Sequence, residues 1–392
     1  MVAEYAVQFE ALEAQASALT ELFKEAGYEQ VAPSFLQPAD LFLDSMGEAI
    51  RGRTYVFTDN DGEELCLRPD LTLPVARLYL ERDPQAANEA RYCYNGPAFR
   101  YQPGGGDARR PREFRQAGIE FIGGAERALA EAEVLSLAVN AVGAAGLTGF
   151  QIRLGDLGLF DALVDALAIP ERWQVRLRHF FWRPPAFHKL LTRLAGGKNR
   201  LLGKSEAALI RKLDAGDPGG AVDIVEAHLK RARIPLAGTR TLEEITERVL
   251  DRARDAHEAP LPKKTAKLIE DYLSVRGRPR AALARIEELV NAAKLDIGPA
   301  LAAFQQRLDA FADAGIDLGL MEFGAEFGRD LEYYSGLVFQ IEIPDLGRAG
   351  QIAGGGRYDT LLEGLGAPRA VPAVGVAIHT ERLLAVVNGD AG

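Results

Sequence analysis

The middle of the chain, from about residue 170 to residue 317, has a helical pattern almost throughout, whereas strand patterns dominate on both sides of it. This segment is rich in Ala, Leu, Arg and Glu, and its apolar residues recur at helical spacings, as at Leu190, Leu191 and Leu194. Residues at such spacings share one face of a helix, which must be buried against another element. The pattern predicts a sheet that is built from both ends of the chain and interrupted by a helical insertion.

The first segment begins with a helix and continues into strands. Apolar residues between Phe9 and Phe23 lie three or four positions apart, and Gly27 follows as a helix stop. The Asp61-Gly62 pair lies between two strand patterns and predicts a hairpin. We therefore expect an α+β fold, an antiparallel sheet flanked by helices. The core would consist of 1–169 and 318–392, and the helical insertion domain would be 170–317.

Composition excludes several classes of protein. With 47% hydrophobic and 26% charged residues, the chain has the balance of a folded globular protein rather than a disordered one. The formal net charge of −10 means that nucleic acid could bind only at a local basic patch. The amino terminus has no basic segment before an apolar stretch, and no apolar run reaches about 18 residues. We expect a cytoplasmic protein that does not bind membranes.

Cysteine and histidine are few and scattered. Cys66 and Cys93 both lie in apolar strand patterns and do not have the spacing of metal ligands. None of the five histidines is four residues from another, and none has the neighbours that a zinc or triad motif requires. We therefore expect no disulfide framework, no metal site and no catalytic triad.

A first polar cluster, Asp70 and Thr72, comes directly after the strand pattern at 64–67. Both residue types are favoured at helix N-termini, where their oxygens accept hydrogen bonds from free backbone N–H groups. At this point the cluster has two interpretations, an ordinary helix cap or part of a polar site.

A second cluster brings an arginine near a polar strand. Arg100 follows one predicted strand, a glycine-rich loop occupies 102–111, and Gln116 and Glu120 then lie on the same face of the next strand. An arginine beside glutamine and glutamate side chains suits an anionic or zwitterionic ligand. A solvated sheet face with a mobile loop would give the same pattern.

A third cluster lies in the last segment, where 329–336 and, after one strand, 353–359 carry charged, aromatic and glycine residues. Three consecutive glycines before Arg357, Tyr358 and Asp359 allow a backbone to approach a ligand closely, but they also suit a bulge or tight packing. The triplet does not match a dinucleotide-binding or phosphate-loop fingerprint.

In their order and spacing, these clusters resemble the catalytic core of histidyl-tRNA synthetases, which have a class II aminoacyl-tRNA synthetase fold. Pro33 matches the proline of motif 1, and 99–120 is similar to motif 2. Residues 329–334 resemble the histidine motif Arg-Gly-Leu-Asp-Tyr-Tyr, 353–359 resemble the second histidine motif, and 375–383 resemble motif 3. The resemblance covers about 30–169 and 318–387.

The resemblance implies a histidine-binding pocket. By match to the family motifs, Asp70 and Thr72 would hold the ammonium group, and Gln116 would lie near the ammonium and carboxylate groups. Glu120 and Tyr334 would contact the imidazole, whose two nitrogens pair with a carboxylate and a phenol. Tyr358 matches a residue of the pocket wall. Arg100 and Arg329 match arginines near the carboxylate and the phosphate, and Tyr333 is the other tyrosine of the first histidine motif.

The nucleotide half of the synthetase pattern is altered. Gln102 replaces the motif 2 glutamate that lies at the adenine amino group, and His379 replaces a glycine beside the adenine pocket. In the first histidine motif Asp330 replaces glycine and Glu332 replaces aspartate, and Asp70 itself stands where the synthetases have glutamate. We expect weak ATP binding and a disturbed activation geometry, since a displacement of about 1 Å can cost about a hundredfold in rate.

No counterpart of the anticodon-binding domain follows Arg382, so the pattern also resembles the regulatory subunits of ATP phosphoribosyltransferase. That resemblance implies a subunit without catalysis or cofactor that binds L-histidine as effector. Its partner would be a short-form catalytic subunit at the first step of histidine biosynthesis, in a hetero-oligomer. Class II cores also dimerise through motif 1, which here lies at 29–35.

Two alternatives remain open from the sequence. One is a synthetase paralogue that still activates histidine with ATP, because Arg100, Arg329 and Arg382 are all present. The other is a tRNA-binding module, since basic residues recur in the insertion, although such a stretch is more often a solvated helix face. The basic residues concerned are Arg172, Arg176, Arg178, Arg183, Lys189, Arg193, Lys198 and Arg200.

Overall fold

The computed structural model divides into two compact units. The first unit combines 1–166 with 271–392, and the second is 167–270. Residues 271–317, which the sequence analysis assigned to the insertion, therefore belong to the first unit. The residues that the structure describes are 6–43, 50–102, 111–181, 183–196, 209–210, 212–213, 218–232, 241–329, 331, 333–347 and 349–390.

The first unit is built on a nine-stranded sheet in the order β1-β5-β6-β12-β11-β10-β7-β9-β8. Most neighbours are antiparallel, as expected, but β1–β5 and β7–β9 pair in parallel, so the sheet is mixed. Its strands are β1 (Glu29–Gln30), β5 (Ala90–Phe99), β6 (Glu113–Ile122), β7 (Gln151–Asp156), β8 (Arg276–Gly277), β9 (Met321–Gly324), β10 (Leu337–Glu342), β11 (Gln351–Arg357) and β12 (Ala373–His379).

A smaller antiparallel sheet, in the order β2-β4-β3, contains the predicted hairpin. Its strands are β2 (Leu36–Pro38), β3 (Tyr55–Thr58) and β4 (Glu64–Leu67). The turn between β3 and β4 is closed by Asp59, whose Oδ1 accepts hydrogen bonds from the backbone N–H groups of Asp61 and Glu63 at 2.9 Å each. Gly62 has a φ of +91°, a conformation that glycine adopts without steric cost.

Helices cover the sheet of the first unit. The helix predicted at the start of the chain is present, and Leu12, Ala16, Leu19 and Phe23 are buried, whereas Phe9 is exposed. The helices of this unit are α1 (Ala6–Glu25), α2 (Asp40–Leu43), α3 (Thr72–Arg82), α4 (Arg127–Ala144), α5 (Leu157–Ala166), α11 (Pro279–Ala292), α12 (Gly298–Asp313), α13 (Leu361–Gly364) and α14 (Thr380–Val387).

The second unit is helical. Leu209, Leu213, Ala221, Val225 and Leu250 form a buried apolar cluster, to which further half-buried apolar residues contribute. Its helices are α6 (Glu171–Phe180), α7 (Pro184–Ala195), α8 (Pro218–Ala232), α9 (Leu242–His257) and most of α10 (Lys263–Leu273). No helix in the described part of the chain is long and apolar enough to cross a membrane.

The two faces of the large sheet differ in chemistry. On one face, a row of paired residues is apolar and buried: Cys93, Ile119, Val376, Gly355 and Phe339. The helices α1, α4 and α14 contact β5, β6, β11 or β12, and α5 contacts β10. The neighbouring row on the other face is Tyr92, Glu120, Gly375, Gly356, Val338 and Gly155. Because side chains alternate along each strand, the polar residues of β6 share one face, and the small residues leave space above them.

Candidate functional site

Glu120, on the glycine-rich face of the large sheet, is the centre of the site. Its side chain is 1% exposed, and both carboxylate oxygens accept hydrogen bonds from hydroxyl groups. Thr72 Oγ1 donates to Oε1 at 2.8 Å, Tyr94 OH donates to Oε1 at 3.0 Å, and Tyr358 OH donates to Oε2. Residues from α3, β5 and the segment after β11 are thus held together by one buried carboxylate.

Burial raises the pKa of Glu120 to about 7, because the charged form loses its hydration, although the three hydroxyl donors oppose this shift. Burial likewise raises the pKa values of Tyr94 and Tyr358 well above their usual range, so both phenols keep their protons. The hydroxyl groups therefore remain hydrogen-bond donors to Glu120 at neutral pH.

A missing side chain makes room for Glu120. Gly375 on β12 pairs with it, and a Cβ at position 375 would lie 1.6 Å from Glu120 Oε2. The glycine triplet of β11 has a similar role, since a Cβ at Gly354 would lie 1.8 Å from Arg329 Nη1. The triplet is therefore neither a bulge nor a turn, and part of it forms the floor of the site.

Asp70 and Thr72 lie where β4 ends and α3 begins, and both are buried. Asp70 Oδ1 accepts a hydrogen bond from Leu73 N, in the first turn of α3, at 3.4 Å, whereas the N-cap position of this helix is Leu71. Asp70 Oδ2 is buried and has no hydrogen-bond partner among the described residues. Burial raises the pKa of Asp70 to about 6, partly offset by the charge of Arg100. One oxygen of Asp70 therefore bonds the first turn of α3, and the other has no partner among the described residues.

Arg100 lies beside Asp70 at the end of β5. Its Nε donates to Pro69 O at 2.9 Å, and its guanidinium lies 5.0 Å from the centre of the Phe114 ring. Burial lowers the pKa of Arg100 to about 10, which still leaves the group charged at neutral pH, and Asp70 opposes that shift. Arg100 thus places a positive charge near the acceptor of Asp70.

Gln116 and His379 face each other across β6 and β12. Gln116 Oε1 is buried and, within the described ranges, has no donor. The His379 ring lies 5.2 Å from the Phe114 ring, and burial together with the charges of Arg382, Arg100 and Arg329 holds the pKa of His379 well below its usual value. His379 is therefore a neutral ring packed on an aromatic side chain.

Arg329 lies over Gly354 on the floor of the site. Its Nη1 donates to Gln340 Oε1 at 3.3 Å, whereas its buried Nε has no acceptor in the described part of the chain. Three tyrosine rings complete the wall: Tyr333 lies 4.7 Å from Tyr334 and 5.7 Å from Tyr358, centre to centre. Arg329 thus provides a free donor next to an aromatic wall.

The structure brings most of the predicted site residues together. Thr72 and Tyr358 bond to Glu120, and Tyr333 contacts both Tyr334 and Tyr358. Arg100 lies close enough to interact electrostatically with Asp70 and Tyr333, and Arg329 with Tyr334. Gln116 lies on the same face of β6 as Glu120. Asp330 and Glu332 lie outside the described residues, as does most of the loop at 102–111.

Two residues of the site were not predicted from the sequence. Tyr94 donates to Glu120, and Gln340 accepts from Arg329. The sequence signal for both is that a polar residue lies within an otherwise apolar strand pattern. Such a residue normally faces solvent, so the pattern alone does not indicate a site.

Chemically, the site combines free oxygen acceptors with free cationic donors. Asp70 Oδ2 and Gln116 Oε1 are acceptors, and Arg329 Nε is a donor. Oxygen acceptors of this kind suit an ammonium group, and a guanidinium donor suits a carboxylate. Among the described residues, no group of three or more His, Cys, Asp or Glu side chains could hold a metal ion.

The basic stretch of the insertion lies on α6, α7 and the segments after them. Arg172, Arg176, Arg178 and Arg183 each have an interaction partner within the protein, and Lys198 and Arg200 lie outside the described residues.

Comparison with known proteins places this site in context. The family model described as histidyl-tRNA synthetase matches residues 5–184 and 219–383. The chain is 34% identical over 362 residues to an ATP phosphoribosyltransferase regulatory subunit of Brucella anthropi, covering 92% of this chain and 93% of that protein.

Solved structures share the fold. One, titled an ATP phosphoribosyltransferase regulatory subunit/histidyl-tRNA synthetase from Bacillus halodurans, has a TM-score of 0.68 at 22% identity, covering 99% of this chain and 82% of that chain. A histidine–tRNA ligase subunit from Alicyclobacillus acidocaldarius has a TM-score of 0.61 at 25% identity, covering 100% of this chain and 97% of that one.

Proposed function

The chain belongs to the family of ATP phosphoribosyltransferase regulatory subunits, which has the histidyl-tRNA synthetase fold, and we propose that it binds L-histidine and catalyses no reaction itself. It acts with a short-form catalytic subunit at the first step of histidine biosynthesis and transmits feedback inhibition by histidine. It needs no cofactor. The observation that supports this most is the buried site around Glu120, with its unpartnered acceptors and donor.

Each group of histidine finds a complementary side chain in this site. The ammonium group, with three N–H donors, is bound by Asp70 Oδ2, Gln116 Oε1 and the hydroxyl oxygen of Thr72, which can accept while it donates to Glu120. The carboxylate is bound by Arg329 and Arg100 through charge-assisted hydrogen bonds.

The imidazole lies between Glu120 and Tyr334, which bond its two nitrogens, and against the rings of Tyr333 and Tyr358. A ligand without these nitrogens would leave buried polar groups unpaired, at about 1–3 kcal/mol each. The pocket is therefore selective for histidine over side chains of similar shape.

The absence of catalysis is proposed from the residues around Phe114. Where the synthetases have a glutamate, Gln102 is 6% exposed and accepts a hydrogen bond from Arg53 Nη2 at 3.0 Å. His379 packs on the Phe114 ring, and Arg100 also lies on that ring. An aromatic ring that already carries these two side chains is poorly placed to stack on a purine, which disfavours adenylate formation.

Feedback follows from linkage. If histidine binds one quaternary state of the complex more tightly than another, it shifts the population toward that state, and the shift is limited by the difference in affinity. A coupling free energy of about 1–3 kcal/mol is sufficient for regulation of this kind.

We also propose that the chain forms a two-fold dimer within the complex. The segment that resembles motif 1 ends at Phe35, which is 52% exposed, and the adjoining small sheet exposes Leu36, Val56 and Phe57. Clustered exposed apolar side chains of this kind are typical of protein interfaces. Sedimentation of the Phe57→Ser variant tests this: a shift toward monomer is expected, and unchanged sedimentation would contradict it.

Two measurements test the proposed function. Titration calorimetry of the intact protein with L-histidine, imidazole propionate and histamine should show tight binding of histidine alone, since the other two lack the ammonium or the carboxylate. Histidine-dependent exchange of pyrophosphate into ATP should be absent. Failure to bind histidine would contradict the site assignment, and exchange activity would favour a histidine-activating enzyme.

A further inference from the structure

Arg329 is held in place by a neighbour that carries no charge. Gln340, on β10, is paired with Gly354 on β11, above which the Arg329 guanidinium lies. Gln340 is 7% exposed, and its Oε1 accepts the hydrogen bond from Arg329 Nη1 at 3.3 Å. Arg329 is half-buried, and its hydrogen-bond acceptor here is neutral, so this acceptor does not compensate the charge of the guanidinium.

The orientation of the Gln340 amide is fixed from both sides. Its Nε2 donates to Glu342 Oε2, and its Oε1 therefore faces Arg329. Glu342 lies two residues further along the strand, is 9% exposed, and has its other oxygen 3.7 Å from Arg153 Nε. The Gln340 amide thus lies between the carboxylate of Glu342 and the guanidinium of Arg329 and bonds both of them.

The free donor of Arg329 is a separate observation that points to a ligand. Its Nε is buried and has no acceptor among the described residues, although a buried guanidinium N–H normally has one. With Nη1 engaged by Gln340, the remaining N–H groups form the fork that matches a carboxylate.

We propose that Gln340 is a specificity-determining residue, which positions Arg329 and keeps its charge available for the carboxylate of the bound amino acid. This inference rests on the proposed function. Through Gln340, the pocket distinguishes an amino acid from its carboxamide, because only the carboxylate completes the pairing of Arg329. A carboxylate side chain at position 340 would itself pair with the Arg329 guanidinium and so replace the carboxylate of the ligand.

The test compares L-histidine with L-histidinamide, in which a neutral amide replaces the carboxylate, by titration calorimetry on Gln340→Glu. The wild-type protein should prefer histidine by roughly tenfold to a hundredfold, as expected for a hydrogen bond between charged groups. In Gln340→Glu that preference should fall to within about threefold, with histidinamide affinity nearly unchanged. A merely structural role would weaken both ligands equally.

Two further variants complete the experiment. Gln340→Met removes both hydrogen bonds without adding charge, so an intermediate preference is expected, and this variant serves if Gln340→Glu fails to fold. Gln306→Glu adds the same charge at an exposed position on α12 and should retain the wild-type preference. If the wild-type protein binds no histidine, the proposed function fails; if it does and both Gln340 variants keep the full preference, this inference alone is overturned.

Discussion

A carboxylate buried under three hydroxyl groups explains much of the site at the level of single residues. Glu120 accepts from Thr72, Tyr94 and Tyr358, yet its pKa is raised to about 7, because loss of hydration outweighs those hydrogen bonds. The folded protein thus carries an electrostatic cost that a ligand donating to this carboxylate would offset.

The raised pKa of Glu120 predicts how stability depends on pH. The unfolded chain binds the proton with a pKa near 4.5, so between about pH 4.5 and 7 the folded state holds more protons than the unfolded state. The free energy of unfolding is therefore highest below that window and falls as pH rises through it. Glu120 contributes at most about 3 kcal/mol to this fall. Asp70, whose pKa is raised to about 6, adds a loss of the same sign.

Replacing Glu120 isolates its share of this effect. In Glu120→Gln the free energy of unfolding, measured with urea from pH 5 to 8, should fall less steeply with rising pH than in the wild-type protein. Glu322→Gln, at an exposed position on β9, is the matched control and should keep the wild-type slope. An unchanged slope in Glu120→Gln would show that this carboxylate is already ionised throughout the range.

Single residues were predictable where a motif carries them. Glu120, Tyr358 and Arg329 were predicted from matched motifs; in the structure Tyr358 donates to Glu120, and Tyr334 interacts electrostatically with both Arg329 and Glu120. Tyr94 was not, because its partner lies on another strand and only the β5–β6 register makes the pair visible. Asp70 is not the N-cap residue, which is Leu71; one of its oxygens bonds the first turn of α3, and the other has no partner among the described residues.

At the level of elements, the site depends on the glycine triplet of β11. Gly354 and Gly356 face the site, under Arg329 and Tyr334, whereas Gly355 faces the other side, where a Cβ would lie 2.8 Å from Phe339 Cζ. One strand thus serves both the site and the core, and neither role tolerates a side chain. The sequence suggested close approach at this triplet but not which residue served which face.

Adding one carbon at Gly354 should displace Arg329. In Gly354→Ala the new Cβ would lie 1.8 Å from Arg329 Nη1, so the flexible side chain must leave the floor and the carboxylate loses its partner. Histidine affinity should fall by roughly tenfold to a hundredfold, the worth of a hydrogen bond between charged groups. Titration calorimetry measures this directly.

The control for that variant is Gly143→Ala on α4, where a Cβ would meet nothing within 4 Å. It should bind histidine like the wild-type protein and gain up to about 1 kcal/mol of stability from helix propensity. If Gly354→Ala bound histidine with wild-type affinity, Arg329 would have no part in ligand binding.

Element types were predicted better than their grouping. Periodicity identified α1, the β3–β4 hairpin and the strands that bear the motifs. It assigned 271–317 to the insertion, whereas the structure places these residues in the first unit. There β8 pairs with β9, and α12 contacts α4 and α5. Hydrophobic spacing shows that a helix has a buried face, but it does not show which neighbour covers that face.

At the scale of the whole molecule, we propose that the fold keeps a histidine site while the surroundings for adenylation are altered. On the proposed function, the buried groups around Glu120 complement histidine, whereas His379 and Arg100 lie on the Phe114 ring. Binding without chemistry is what a regulatory subunit requires.

The most direct test of this account is the rate of phosphoribosyl-ATP formation by the short-form catalytic subunit, with and without this protein, across a titration of L-histidine. The account predicts that the rate rises on mixing and then falls as histidine saturates the pocket. A rate that is unchanged on mixing, or a mixed rate that histidine does not lower, would contradict it.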